Sequence, residues 1–311
     1  MQRSEDWLVI INPNAGRHRG MRDWNLIAGW LNHFGFRYQP VFTEFPLHAT
    51  TLTHKYIEKG HTRIIVVGGD GTMNEVVNGV FRQQRFKTTD ISLGMITVGT
   101  GNDWGRMFGI PKDYKEAIRV LKQNKTFIQD AGMVEYKMDN ASENRYFVNI
   151  AGLGFDAEVV RKTNRLKEKG KGGALLYLMN IFSSLVNYKY ANAVISVDGT
   201  DLEHEFLSMN VGICKYNGGG MIAVPGAVPD DGLFDLTVIN RMSRPYILWS
   251  LRRLYDGTIH EHPRVDSFTG KSIRVESDDR IMLETDGESL GHTPLEFRII
   301  PRSVKIIAGF S

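Results

Sequence analysis

RIIVVGGDGTMNEVVNG, residues 63–79, decides how this chain is read. Arg63 to Val67 is a short β-branched run closed by glycine, which predicts a buried strand. Met73 to Arg82 carries apolar residues at helical spacing. Between them stand Gly68-Gly69-Asp70-Gly71-Thr72. Glycines at a strand-to-helix turn let the backbone come close to a phosphate, and the free N–H groups at the next helix start favour anionic oxygens. An aspartate in the same turn suits orienting a nucleotide or holding a magnesium ion through its water shell. A tight turn with a solvated Asp70 is the plain structural alternative.

The same rhythm extends to both sides. Trp7 to Asn12, Arg37 to Phe42 and Ile91 to Ile96 read as strands, and Trp24 to Phe34, Ala49 to Glu58 and Tyr114 to Leu121 as helices. Such alternation predicts an α/β domain with a mostly parallel sheet over residues 1–130. Two more polar, glycine-bearing loops follow strands: Asn12-Pro13-Asn14-Ala15-Gly16 and Gly99-Thr100-Gly101-Asn102-Asp103. Each is an ordinary turn alone. In a parallel fold all three loops lie at the carboxyl edge of one sheet, where α/β proteins bind ligands, so together they predict a nucleotide site.

Past Asp130 the pattern changes. Tyr146 to Ile150, Ala193 to Val197, Phe206 to Val211, Leu233 to Ile239, Ser272 to Val275, Ile281 to Glu284, Leu295 to Ile300 and Ser303 to Ile307 read as consecutive strands. They predict an all-β-rich antiparallel sandwich over residues 131–311, with a return of the last strand to the first domain left open. Two helical insertions interrupt it, Gly173 to Tyr188 and Arg244 to Tyr255. Pro229-Asp230-Asp231-Gly232-Leu233-Phe234-Asp235 reads either as a hairpin turn or as a metal loop. Asp286-Gly287-Glu288 sets two carboxylates around a glycine, a pair able to take a proton from a hydroxyl and to orient it, or merely an exposed acidic turn.

Composition narrows the classes. Of 311 residues, 42% are hydrophobic and 23% charged, which excludes wholesale disorder. The net charge of +3 is a mild excess that suits anionic membrane surfaces or nucleotides, and no nucleic acid partner is expected. A single cysteine, Cys214, permits no internal disulfide and points to a reducing compartment. The most apolar stretch, Ala174 to Val186, falls short of the roughly 20 residues a bilayer span needs, and Met1 to Asp6 carries no secretory pattern. A cytoplasmic protein with peripheral membrane contact is expected.

Taken together the motifs resemble the diacylglycerol kinase catalytic-domain family, which includes bacterial lipid kinases and sphingosine kinases. GDGTMNEVVNG, residues 69–79, matches its nucleotide-binding signature almost throughout, and the resemblance covers nearly the whole chain. It implies an ATP- and Mg2+-dependent lipid kinase acting on a lipid hydroxyl, first of all diacylglycerol to phosphatidic acid, from a nucleotide site in the interdomain cleft. The implied nucleotide contacts are Asn12, Pro13, Asn14, Ala15, Gly16, Thr43, Gly69, Asp70, Gly71, Thr72, Met73, Asn74, Glu75, Thr100 and Asn102. The implied structural magnesium sits on Asp231 with the carbonyls of Val228 and Leu233. Glu288 matches the family's general base and Asp286 its partner.

Asn149 to Asp156 is also family-like and reads as a joining strand and turn without assigned chemistry. The apolar insertion at 173–188, preceded by Lys162, Arg165, Lys167, Lys169 and Lys171, suits an anionic membrane surface. The second insertion suits either that surface or packing on the sandwich. The resemblance leaves a homodimer open. The rival readings are an NAD kinase-like enzyme, which shares the Gly-Gly-Asp-Gly loop, and a catalytically silent nucleotide- or lipid-binding regulator.

Overall fold

The computed structural model describes residues 4, 6–99, 101–139, 141–168, 188 and 190–310. Thr100, Lys169, Lys171 and, apart from Tyr188, the helix expected over 173–188 lie outside the described residues. The chain divides into two compact units, Met1–Asp130 with Arg302–Ser311, and Ala131–Pro301.

The first unit runs β1 (Trp7–Ile11), α1 (Ala15–Arg22), α2 (Trp24–His33), β2 (Tyr38–Phe42), α3 (His48–Glu58), β3 (Arg63–Gly68), α4 (Asp70–Arg82), β4 (Ser92–Thr97), α5 (Asp103–Met107) and α6 (Tyr114–Gln123). Its strands pair in parallel in the order β2-β1-β3-β4. Every residue of β1 is buried, as a strand covered on both faces requires. Val9, Ile11, Ile65, Val67 and Ile96 form one face of the core with Ile27 and Leu31 of α2 and Ile118 and Leu121 of α6.

Helices α3 and α4 pack closely on each other. A Cβ at Gly79 would stand 2.6 Å from the Thr50 carbonyl oxygen and 2.5 Å from Thr53 Cβ. Glu75 caps α3 from outside, its Oε1 accepting the Leu47 N–H and its Oε2 the Ala49 N–H, each at 3.0 Å. Helix α1 was not expected from the sequence. After Ala15 it passes through three left-handed residues, Gly16, Arg17 and His18, at φ 61°, 59° and 64°.

The second unit is built of β5 (Thr126–Met138), which begins just before it, β6 (Ala141–Phe147), β7 (Ile150–Gly154), α7 (Phe155–Glu168), β8 (Ala191–Val197), β9 (Thr200–Gly212), β10 (Tyr216–Asn217), β11 (Met221–Ile222), β12 (Phe234–Asn240), α8 (Arg244–Asp256), β13 (Val265–Gly270), β14 (Ser272–Glu276), β15 (Met282–Thr285) and β16 (Glu288–Ile307). Antiparallel pairing runs from β9 through β7, β15, β16, β14 and β8 back to β9, so the strands close a circuit. Phe147, Phe234 and Phe297 fill its core, the first two rings stacked at 5.8 Å and the third edge-on to Phe147 at 6.2 Å.

Strands β5 and β13 and helix α7 were not read from the sequence. Pro301 split one strand into two in that reading, yet β16 runs through it. The proline falls after the pairing with β14 and before the pairing of Lys305 and Ile306 with β4, so its missing N–H removes no bond of either ladder. That parallel pairing with Ser92 and Leu93 groups residues 302–311 with the first unit.

Alanine has the better intrinsic helix propensity, but at Gly79 its methyl meets backbone and must displace α3. Gly79→Ala is expected to cost about 1–3 kcal/mol in urea unfolding. An unchanged midpoint would show that the two helices separate freely.

Candidate functional site

In the order β2-β1-β3-β4 the direction of winding reverses between β1 and β3, and the loops after those two strands open side by side. Asn12 and Thr72 join them directly, the Asn12 amide Nδ2 donating to Thr72 Oγ1 at 3.0 Å. Asn12 Oδ1 accepts the Asn14 N–H at 3.0 Å and shapes the first loop. Gly16 is held against the third loop, where a Cβ would lie 1.8 Å from the Val98 carbonyl oxygen. No side chain fits there, and the left-handed φ of 61° also favours glycine.

Asp70 ties the second loop to the third. Its Oδ2 accepts the Asp103 N–H at 2.8 Å and its Oδ1 the Trp104 N–H at 3.2 Å, so it caps α5 across the loops. Asn102 donates to the Gly99 carbonyl at 2.7 Å, while its Oδ1 is buried without a hydrogen-bond partner. A buried acceptor of this kind calls for a donor from water or a ligand. Thr43 ends β2, its N–H bonded to the Ile11 carbonyl at 2.8 Å.

The structure therefore gathers Asn12, Asn14, Gly16, Gly69, Asp70, Thr72 and Asn102 at the strand ends. Pro13, Ala15 and Gly71 lie in the same segments. Met73 and Asn74 differ, because their side chains are buried in the inner face of α4. Glu75 differs too, with both oxygens on the start of α3. These three support the loop from behind.

In the second unit Asp286 and Gly287 form the two-residue turn between β15 and β16, at φ 50° and 85°, with Thr285 paired to Glu288. Asp286 is nearly buried. Its oxygens accept the N–H groups of Val148 at 3.0 Å, Asn149 at 3.0 Å and Ile150 at 3.2 Å. Asn164 of α7 donates to the Gly287 carbonyl at 3.0 Å. A turn pinned from two sides presents Glu288, which is exposed.

The Asp231 loop is exposed, and Asp231 Oδ1 accepts the Leu233 N–H at 3.0 Å. Burial, then the charge of Asp231, pushes the Asp235 carboxyl up to about 6, with Lys215 opposing. Among the described residues no group of three or more His, Cys, Asp or Glu side chains is placed to hold a metal. A magnesium ion here would lean on Asp231, on the carbonyls of Val228 and Leu233, and on water. Hard oxygen donors with a second carboxylate, Asp235, near enough to feel the charge of Asp231 fit that ion.

Sequence reasoning passed over a polar cluster on one face of β15, β7 and β9. Glu284 is opposite Gly152, which is opposite Asn210, and Ser208 is opposite Gly154. Asp156 accepts from Ser208 Oγ at 2.5 Å and from Asn210 Nδ2 at 2.8 Å. Its pKa is raised by burial, against those two hydrogen bonds. The signal was present in the sequence: Ser208 and Asn210 are polar residues two apart in the otherwise apolar run Phe206 to Val211, so they share a face.

Beside Asp156 and Ser208 lies an apolar cleft of about 50 Å³, lined among others by Val159, Leu207, Leu251 and Leu254. An open groove of about 750 Å³ runs past Glu203, His204, Glu205 and Arg241. No sequence-predicted site residue lines it, and Arg241 within it pairs with Glu205 at 2.9 Å.

Known proteins share this arrangement. The pattern of a diacylglycerol kinase catalytic domain matches residues 6–134, and that of the YegS C-terminal NAD kinase beta sandwich-like domain matches residues 149–308. YtlR of Bacillus subtilis (strain 168), named as a candidate lipid kinase, is 31% identical over 312 residues, covering 96% of this chain and 98% of its own. A Staphylococcus aureus (strain MRSA252) protein named diacylglycerol kinase is 30% identical over 300 residues, covering 96% of this chain and 91% of its own. A crystal structure from Bacillus anthracis str. Sterne, described as a candidate diacylglycerol kinase, superposes with a TM-score of 0.79 at 25% identity, over 99% of this chain and 97% of that one.

Glu284 is fully buried, and that burial pushes its carboxyl up to about 8, with Asp156 and Asp286 adding to the rise and the Gly287 N–H and Asn217 opposing it. Unfolded, a glutamate titrates near 4.3. Between about 4.3 and 8 the folded chain holds a proton that the unfolded chain releases, so this group's contribution to stability falls as pH rises through that window. Glu284→Gln stays neutral throughout. Its urea midpoint is expected to gain on the wild type between pH 5 and pH 9. Parallel midpoint curves would show that Glu284 ionises normally.

Proposed function

The chain belongs to the diacylglycerol kinase family, with a diacylglycerol kinase catalytic domain followed by a YegS-type β-sandwich domain, and on that premise we propose that it transfers the γ-phosphoryl group of ATP to a lipid hydroxyl, diacylglycerol first. The observation that carries this reading is the stitching of glycine-bearing loops at the ends of β1, β3 and β4 by Asn12, Thr72 and Asp70. Loops held this way offer backbone N–H groups and amides to a triphosphate without reorganising. The passage from right-handed Asn14 to left-handed Gly16, Arg17 and His18 is nest-type backbone, which suits phosphate oxygens, and Arg17 and His18 are exposed there.

Glu288 belongs to the second unit and the loops to the first, and the proposed reaction needs both. Glu288 removes the proton of the acceptor hydroxyl. The oxygen forms a bond to the γ-phosphorus as the bond to the bridging oxygen breaks, leaving ADP. Asp286, with its oxygens spent on backbone N–H groups, positions the turn. Magnesium bound with the nucleotide would neutralise charge on the phosphates, and at the Asp231 loop it would serve order rather than chemistry.

For the acceptor, the cleft beside Asp156 is apolar with a carboxyl and a hydroxyl at its wall, a lining suited to a lipid with a polar head and unsuited to a dinucleotide. At about 50 Å³ it does not hold an acyl chain as it stands, so lipid entry requires its walls to part. Among the described residues no helix is long and apolar enough to cross a membrane. A lipid acceptor is then to be met at a bilayer surface.

Radiolabelled ATP with diacylglycerol micelles should yield phosphatidic acid, with no labelled product from NAD or from a no-acceptor control. Labelled NADP as the chief product would overturn the lipid reading. Glu288→Gln is expected to lower kcat by about 10²- to 10⁴-fold while ATP affinity, read by calorimetry, stays within about threefold. Near-normal turnover would remove Glu288 as the base. Magnesium without nucleotide should raise the wild-type Tm, and Asp231→Ala should abolish that rise. Equal responses of the two proteins would remove the Asp231 site.

A further inference from the structure

Helix α8 is two-sided in an unusual way. Ile247, Ser250, Leu251 and Leu254, at helical spacing, turn inward and line the apolar cleft. The opposite side carries Leu248, Trp249, Arg252 and Tyr255, again at helical spacing, with Arg244 one turn before Leu248. A soluble helix normally sets polar residues on that side. Here Trp249 is 66% exposed, Tyr255 50%, Leu248 39% and Tyr246 36%. The Tyr246 and Trp249 rings stack at 5.8 Å and 8°. Four of the twelve exposed large apolar side chains among the described residues fall on this one helix.

The charges on the same side are positive, and Arg252 acts on Asp256 one turn away, helping to hold that carboxyl low. Arg244 and Arg252 make no ion pair with any described carboxylate, whereas Arg253 donates to the Thr258 carbonyl at 3.1 Å and Arg241 is paired with Glu205. The acid at the helix end, Asp256, accepts from Thr258. Tryptophan and tyrosine with arginine is the chemistry of the bilayer interface, where rings sit at headgroup depth and guanidinium groups meet anionic lipid.

We infer that the Leu248–Trp249–Arg252–Tyr255 face of α8 docks on an anionic lipid bilayer, with the inner face of the same helix forming the wall of the acceptor cleft. The docking rests on the lipid-kinase reading for its purpose but not for its physics. A helix whose outer rings are drawn into the headgroups is displaced relative to β9 and α7, and those are the walls that must part for a chain to enter. The bilayer thereby serves as both the source of the acceptor and the force that opens the cleft.

Flotation of the full chain tests this, with phosphatidylcholine vesicles and with vesicles containing phosphatidylglycerol. The wild type should float with the anionic vesicles and be released by high salt. Trp249→Ala with Arg252→Glu should lower partitioning by ~10-fold or more. Leu26→Ala, which removes an exposed leucine from α2, should not. The paired variant should also lose activity on diacylglycerol in vesicles while keeping it on a short-chain diacylglycerol in solution. Loss of flotation with no activity on any acceptor in either protein would support the docking while refuting the lipid-kinase reading. Undiminished flotation of the paired variant would overturn the docking. So would a wild-type dimer, seen by sedimentation, that the substitutions dissolve without changing vesicle binding, because the face would then cover a second copy of the chain.

Discussion

The carboxylate of Asp70 accepts two backbone N–H groups from the start of α5, and the geometry of the strand ends depends on it. These donors belong to a chain segment 33 and 34 residues away. Without a charged acceptor between them the loops after β3 and β4 would be joined only by the sheet beneath and by the Val98 and Gly99 N–H groups on the Gly68 carbonyl. With it, and with the Asn12 to Thr72 bond, three separate turns behave as one surface. Charge-assisted bonds to backbone N–H groups are about twice as strong as neutral ones, so a single side chain can hold this much. Asp70 thus shapes the surface formed by these loop ends.

The second unit repeats the device with different chemistry. Asp286 binds three successive N–H groups and fixes a tight turn, Glu284 lies buried beneath it, and Glu288 stands exposed at the start of β16. Three acids within five residues thus have three environments. Backbone N–H groups surround the Asp286 carboxylate, burial opposes ionisation at Glu284, and Glu288 faces solvent. Environment, not residue type, sets these three carboxylates apart, a pattern general to carboxylates at reactive sites.

Much of this was legible in the sequence. The alternation before Asp130 and the run of strands after it gave the fold class, because β-branched clusters and helical spacing are local signals and the family signature at residues 69–79 is nearly complete. The elements that escaped had weak local signals. Strand β5 is interrupted by Gln129 and Asp130, polar residues that are fully buried by their tertiary partners. Helix α1 opens in a left-handed turn that has no helical periodicity. Of the candidate site, the loops were readable and the roles within them were not. Nothing in Met73-Asn74-Glu75 foretells that the first two side chains are buried and that the third caps α3. The polar row of Asp156, Ser208, Asn210 and Glu284 is assembled from two strands and a helix, so no window of sequence contains it.

By itself the sequence determined where backbone would be glycine-rich, where carboxylates would flank a tight turn, and which kinds of domain would follow one another. Those are properties of neighbours along the chain, set by sterics and by side-chain periodicity. Only the tertiary structure decided which acid would be buried and which exposed, which face of α8 would meet solvent, and how the last strand would be shared. Each of these depends on desolvation and on partners distant in the chain, and neither is written in local spacing.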